Sequence, residues 1–319
     1  MPISLTYRSI TTADWPVIDA LTARTYGEPL GVDYWQRKHD QNPLEENGPW
    51  GVGAFDGARA VGFFSMLPLS LRVDGQVVRA NQTVDLMTDP DYRGQGIFDK
   101  LSAGLREQMV EKGHQVSITF GILGGPGYKG HLKHGYKAIG PLVQYTKVCH
   151  LRAFCAGKRG WPLIRRAAFG VYAHRSVPTL AADRPQVRES RIMPEYRDDH
   201  LLWRGRLNPG RCTELRRDSS ARLLVNGHDS DLYILVCNGL PEQLKHLLQN
   251  ADQIARANGF ATVRTSVTKH SYLCKYLEAA GYRKHGKERV LSVLPIGETA
   301  PDIFNFKDWH LMLGDTDNL

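Results

Sequence analysis

The run Asp89-Pro90-Asp91-Tyr92-Arg93-Gly94-Gln95-Gly96-Ile97-Phe98, reached from Val84-Asp85-Leu86-Met87-Thr88, constrains the fold of this chain more than any other stretch. A β-type segment leads into a tight Gly-containing turn, and the turn into a pattern with Ile97, Phe98, Leu101, Leu105 and Met109 at helical spacing, stopped by Lys112-Gly113. Strand, turn and helix in that order predict a mixed α/β protein. A helix start carries unsatisfied backbone N–H groups and roughly half a positive charge. Two glycines let that backbone approach a bulky anion with no Cβ in the way. The pattern therefore predicts a pyrophosphate cradle. No Gly-Lys-Ser/Thr follows, which excludes the nucleotide-triphosphate loop, and the three-glycine spacing of the dinucleotide fingerprint is absent.

At 319 residues the length predicts about two domains. Over residues 1–150 the expected order is β-α-β-β-β-α-β-α-β. Hairpins turn at Asp56-Gly57 and Asp74-Gly75, a buried strand lies at Val116–Gly121, and Val143–Val148 closes the half. Residues 151–188 hold a basic stretch with Lys158-Arg159, Arg165-Arg166 and Arg175 among apolar residues, followed by Pro178 and Pro185, and are expected to connect two domains. A membrane-surface helix is the other reading of that stretch. Over residues 189–319 part of the pattern recurs: strands at 231–236 and 261–267, helices at 241–258 and 270–280, and Val290–Leu294 ending the sheet. Each half places Gly-Tyr after a helix, at Gly135-Tyr136 and Gly281-Tyr282. The second half lacks the glycine turn, so only the first is expected to hold the anion.

Cys149, Cys155, Cys212, Cys237 and Cys274 are odd in number, scattered and form no Cys-x-x-Cys pair, and no His or Cys cluster has ligand spacing. Neither a disulfide framework nor a metal is expected. The N-terminal residues lack a signal pattern and no apolar run reaches ~18 residues, so the cytoplasm is the expected location. The net charge of +8 fits nucleic acid, anionic lipid or a phosphorylated ligand, and a phosphorylated small molecule suffices to explain it.

Leu86-Met87-Thr88 through Leu101, with Arg93-x-x-Gly96 after a strand and a Pro-Asp-Tyr turn, resembles the acyl-coenzyme A loop of the GNAT superfamily of N-acyltransferases. Phe98 stands where that pattern usually ends in Gly or Ala, so the start of the helix is expected to be wider or shifted. Residues 190–319, with Leu202-Trp203-Arg204 and Asn208-Pro209, are similar to the second domain of tandem bacterial GNAT proteins, some of which acylate nucleotide-linked amino sugars. The resemblance implies a central mixed, mostly antiparallel sheet with a second, degenerate GNAT-like domain: a catalytic half at 1–150 and an acceptor half at 189–319. It implies acyl-coenzyme A as cosubstrate, with backbone groups of Leu86, Met87 and Thr88 pairing with the pantetheine arm. Amides of Arg93, Gly94, Gln95, Gly96, Ile97 and Phe98 would bind the pyrophosphate, and an N–H near Met87 would face the thioester oxygen, where charge grows as an amine attacks.

Only a neutral amine attacks a thioester, so its proton needs an acceptor. On the strand before the loop the candidates are Asp85, which can titrate, and Gln82, which can only orient. For the departing thiolate the family commonly uses a Tyr after the fifth strand; here Tyr128 and His131 are available, with Tyr128 favoured by residue type and His131 kept as acid or base. In the second half Trp203, Arg204, Arg264 and His270, with Tyr272, are candidates for the acceptor, arginine suiting a phosphorylated sugar and an aromatic ring a base or sugar face. The acceptor is expected to be a small amine: a nucleotide-linked amino sugar, or an antibiotic, polyamine or amino acid. A noncatalytic acyl-coenzyme A sensor and a nucleic-acid binder stay open, as does a homodimer.

Overall fold

The computed structural model describes residues 4–44, 48–150, 190–207, 212–218 and 221–316; the expected basic connector at 151–188 and the Asn208-Pro209 marker lie outside them. The chain parts into two compact units. Unit 1 comprises Met1–Gly140, Arg191–Trp203 and Arg289–Phe306, and unit 2 comprises Pro141–Ser190, Arg204–Glu288 and Lys307–Leu319.

Unit 1 begins with β1 (Thr6–Ser9), α1 (Trp15–Tyr26) and a four-residue α2 (Val32–Trp35) that runs into a π-turn at Gln36–Asp40. Next come β2 (Gly51–Asp56), β3 (Arg59–Val73) and β4 (Gln76–Thr88), hairpins turning at the expected Asp-Gly pairs. After the glycine turn follow α3 (Ile97–Glu111), β5 (Val116–Ile122) and α4 (Pro126–Lys133). Neighbouring strands run antiparallel except β4 and β5, which α3 joins in parallel. Phe63 and Phe64, adjacent on β3, turn to opposite faces of the sheet. Phe64 joins Ile97, Leu101, Leu105 and Met109 of α3, while Phe63 joins Trp15, Ile18 and Leu21 of α1, with Trp35 and Met87. Burying each such side chain contributes about 1.5–3 kcal/mol, so the two apolar helix faces clamp the middle of the sheet.

In unit 2, β6 (Lys137–Val148) pairs through residues 142–148 with β11 (Thr262–Thr268), followed across the sheet by β10 (Asp231–Asn238), β9 (Ala221–His228) and β8 (Cys212–Asp218). A hairpin, a long helix α6 (Pro241–Ala257), a parallel strand and a short helix α7 (Leu273–Ala279) succeed one another as they do in unit 1. Leu244, Leu248, Ala251 and Ile254 line the buried face of α6.

Two strands pair differently from the contiguous halves expected at 1–150 and 189–319. Val143–Val148, expected to close the first half, pairs with β11 in unit 2. Residues 289–295 of β12 (Arg283–Pro295), expected to end the second half, pair antiparallel with β5 in unit 1. The physical reason is that alternation shows which face of a strand is apolar but not which edge it joins. Unit 1 also takes up β7 (Ile192–Pro194), paired with β3, and the start of α5 (Asp198–Leu207).

Candidate active site

The parallel pairing of β4 with β5 covers only Ala80–Gln82 opposite Val116–Ile118. Beyond it the ladder stops although β4 continues to Thr88 and β5 to Ile122, so one side of residues 83–88 is left without a strand partner. In the same stretch β4 carries a bulge: Phe63 pairs with Met87 and Ser65 with Val84, which sets Asp85-Leu86 against Phe64 alone. Asp85 takes up the extra residue in a left-handed conformation, φ 54°. Leu86 O accepts a hydrogen bond from Tyr26 Oη at 3.3 Å.

Below the opening lies the glycine turn. Asp89 anchors it: its amide donates to Val61 O at 2.9 Å, and its buried carboxylate takes Arg24 Nε at 2.7 Å, Arg59 Nη2 at 2.8 Å and Asp91 N at 3.2 Å. Burial pushes the Asp89 carboxyl up, but the hydrogen bonds from Arg59 and Arg24 outweigh it and hold it below the usual carboxylate range. Tyr92 Oη donates to Asp56 at 2.6 Å and pins the other end of the Pro90–Tyr92 turn. Gly94 (φ 79°) and Gly96 (φ 71°) then take left-handed conformations that a side chain would strain. Gly96 caps α3, whose first backbone bond runs from Lys100 N to Gly96 O at 3.4 Å. The amides of residues 97–99 thus precede the first bonded turn, and residues 93–96 are exposed. The Phe98 ring lies on Gly130 of α4, where a Cβ would come within 2.5 Å, and edge-on to His134. Asp89→Ala is expected to cost about 1–3 kcal/mol by freeing both arginines and an amide of the turn. A urea midpoint equal to that of the unaltered chain would show that the turn holds itself.

Asp85 is not a free carboxylate. Lys38 Nζ lies 2.6 Å from Oδ1, His39 Nε2 3.1 Å from Oδ2, and Ser65 Oγ donates to Oδ2 at 3.0 Å. Burial pushes its carboxyl up, yet the Lys38 charge and the His39 hydrogen bond prevail and hold it far below the ordinary value. Such a group accepts a proton poorly on its own. Gln82 is buried at the last position of β4 that pairs with β5. His131 is buried among Phe64, Phe98 and Tyr136, with Thr119 Oγ1 3.4 Å from Nε2; burial lowers its pKa to about 4, with the His134 charge adding to the effect. A ring so enclosed stays neutral and is a poor proton carrier. Tyr128, one turn earlier, is half-buried and packs its Cβ against Gly121 of β5, just past the last β4–β5 pair.

Lys38, His39, Ser65 and Tyr26 are the residues at the opening that sequence reasoning missed. Trp35, four positions before His39, is the only sequence sign that this segment has a buried side. Of the second-half candidates, Trp203 is buried in unit 1 with Nε1 donating to Arg37 O at 2.6 Å, and its ring stacks on His200. Arg204 is buried and belongs to unit 2. Arg264 lies 3.2 Å from Asp231 and from Thr262 Oγ1, while His270 is exposed after β11. Tyr272 stacks on His310. Among the described residues no three His, Cys, Asp or Glu side chains gather as a metal site, and no helix is long and apolar enough to cross a membrane.

In unit 1 the sheet thus opens between two parallel strands, with a bulge on one of them and a glycine turn and helix start following it. Residues 6–132 match the family described as Acetyltransferase (GNAT) domain, and this part of the chain is such a domain. Among solved structures it is similar to a GCN5-related N-acetyltransferase from Kribbella flavida, at 14% identity and TM-score 0.60 over 91% of this chain and 70% of that one. It is also similar to a conserved protein of unknown function from Enterococcus faecalis V583 described as a probable N-acyltransferase, at 10% identity and TM-score 0.61 over 92% and 73%. A third is the N-myristoyltransferase of Saccharomyces cerevisiae with bound myristoyl-CoA and inhibitors, at 8% identity and TM-score 0.60 over 92% and 81%. At these identities the likeness is one of fold. No curated protein matches the chain.

Proposed function

We propose that this enzyme moves an acyl group from acyl-coenzyme A directly onto the primary amine of a small molecule, both bound at once, with a nucleotide-linked amino sugar as the first acceptor to test. The observation that carries this reading is the unpaired side of β4 past Gln82, ending at the glycine turn. Main-chain groups of Leu86, Met87 and Thr88 can pair with the amides of a pantetheine arm as with an added strand. The turn and helix start over Arg93, Gly94, Gln95, Gly96, Ile97 and Phe98 suit a pyrophosphate through their main-chain amides, and the Arg93 fork adds charge. An N–H near Met87 serves the thioester oxygen; such a donor is worth about 3 kcal/mol in the barrier.

Tyr128 is the group assigned to the departing sulfur, supported by its half-buried position beside the end of β5. Water relays the proton of the amine, since Asp85 is occupied by Lys38 and His39. Trp203, Arg204, Arg264 and His270 remain the candidates for contacting the acceptor, and unit 2 the acceptor half. Release of coenzyme A is measured over amino sugars, nucleotide-linked amino sugars, polyamines, aminoglycosides and amino acids. Tyr128→Phe is expected to lower kcat by about 10²-fold with KM for acetyl-coenzyme A unchanged. Tight binding of acetyl-coenzyme A with no turnover on any amine would replace the enzyme by a sensor.

A further inference from the structure

A left-handed residue other than glycine in the middle of a strand persists only when its surroundings hold it there. At Asp85 the holding groups come from two directions: Lys38 and His39 from the π-turn, and Ser65 from β3, where the ladder resumes past the bulge. Lys38 is 1% exposed and His39 fully buried. The His39 ring lies nearly parallel to the rings of Trp15 and Trp35, centroids 5.2 and 6.2 Å away, and its Nδ1 has no partner, so it meets Asp85 through Nε2 alone. Net stability does not explain a buried cation, because a well-packed apolar pair would serve as well or better. What the ion pair fixes is a geometry. The φ of Asp85 sets the direction in which the chain leaves the bulge, and Leu86 and Met87 are the next residues along it.

We propose that Lys38, His39 and Ser65 are positioning residues that act through Asp85. They lock the left-handed kink at the bulge, and the kink aims the main chain of Leu86 and Met87 into the opening between β4 and β5. The second half of this statement rests on the proposed function, which puts the thioester in that opening; the lock itself does not. Asp85 is then a structural anchor for the site rather than its proton acceptor.

The test separates backbone from carboxylate. Two double variants both remove the ion pair, Asp85→Gly with Lys38→Met and Asp85→Ala with Lys38→Met. Glycine adopts the left-handed conformation freely and alanine does not, so they differ chiefly in whether the kink survives. Amide hydrogen exchange at residues 84–88, measured without ligand, is expected to be about tenfold faster in the alanine double, with melting temperatures checking that both fold. Calorimetric titration with acetyl-coenzyme A is expected to show the glycine double binding about tenfold tighter than the alanine double. Equal exchange and equal affinity in the two would overturn the lock. Equal affinity together with loss of the acidic limb of the pH–rate profile in both would overturn it in favour of Asp85 as base. If even the unaltered chain took up no acetyl-coenzyme A while the exchange difference held, the functional reading would fall and the lock would stand.

Discussion

Gly94→Glu is expected to weaken acetyl-coenzyme A binding by about a thousandfold while leaving the fold intact. A Cβ at this position meets no atom within 4 Å, so nothing in unit 1 is displaced. Two costs fall on the site instead. The left-handed backbone at φ 79° becomes unfavourable by about 1–2 kcal/mol, enough to shift the turn and scatter the amides that follow it. A carboxylate is also set beside a doubly charged pyrophosphate, a like-charge contact costing several kcal/mol. Gly94→Ala carries the first cost alone and is expected to lose only about tenfold. Titration calorimetry on the two variants, with thermal melts as the fold control, reads the difference directly. Wild-type affinity in Gly94→Glu would mean that the pyrophosphate binds elsewhere.

The second large effect is acid destabilisation well above the carboxylate range. His114 sits beneath the Trp50 ring with Nδ1 2.5 Å from Asn81 Nδ2, His131 is enclosed between α3 and α4, and His310 contacts Ser271 Oγ at 2.7 Å through Nδ1. Burial lowers each pKa from 6.5 to about 4. The unfolded chain takes up these protons near pH 6.5 and the folded chain does not until about pH 4. Their neutral burial is therefore without penalty above pH 6.5, and stability falls as the pH drops from 6.5 to 4, by about 1.4 kcal/mol per pH unit for each ring. That amounts to roughly 3 kcal/mol per histidine by pH 4. Unit 1 holds two of the three rings and unit 2 one, so unit 1 is expected to lose about twice as much. Asp14, held at about 2 by its hydrogen bonds from Arg8, acts in the same direction in a lower window, contributing above pH 3.8 and losing that contribution towards pH 2. Denaturant midpoints between pH 7.5 and 4.5 at constant ionic strength test this; a flat profile down to pH 4.5 would show that the three rings protonate in place.

The parts of the site made by local chemistry were legible in the sequence. Gly94 and Gly96 take the left-handed angles that only glycine holds without strain, the two Asp-Gly turns close the hairpins around β3, and the apolar face of α3 is Ile97, Leu101, Leu105 and Met109. What was hidden depends on contacts distant in sequence. Nothing in Gln82 or Ile118 announces that the ladder ends with them, because pairing is a property of two strands. Lys38 and His39 lie in a short helix and π-turn with no sustained period, and a Lys-His-Asp triplet ordinarily belongs to a wetted surface. Phe98, which departs from the family pattern, finds its room at Gly130, thirty-two residues away. Asp85 was legible as a carboxylate on the strand before the turn, but its pairing with Lys38 was not.

The strand that covers β5 in unit 1 comes from residues 289–295, after most of unit 2 has gone by in the chain. During synthesis β5 therefore waits with a bare edge until residues 289–295 have left the ribosome. The two units cannot mature one after the other, and a fragment ending near residue 150 would keep the glycine turn yet present a sticky flank to its neighbours.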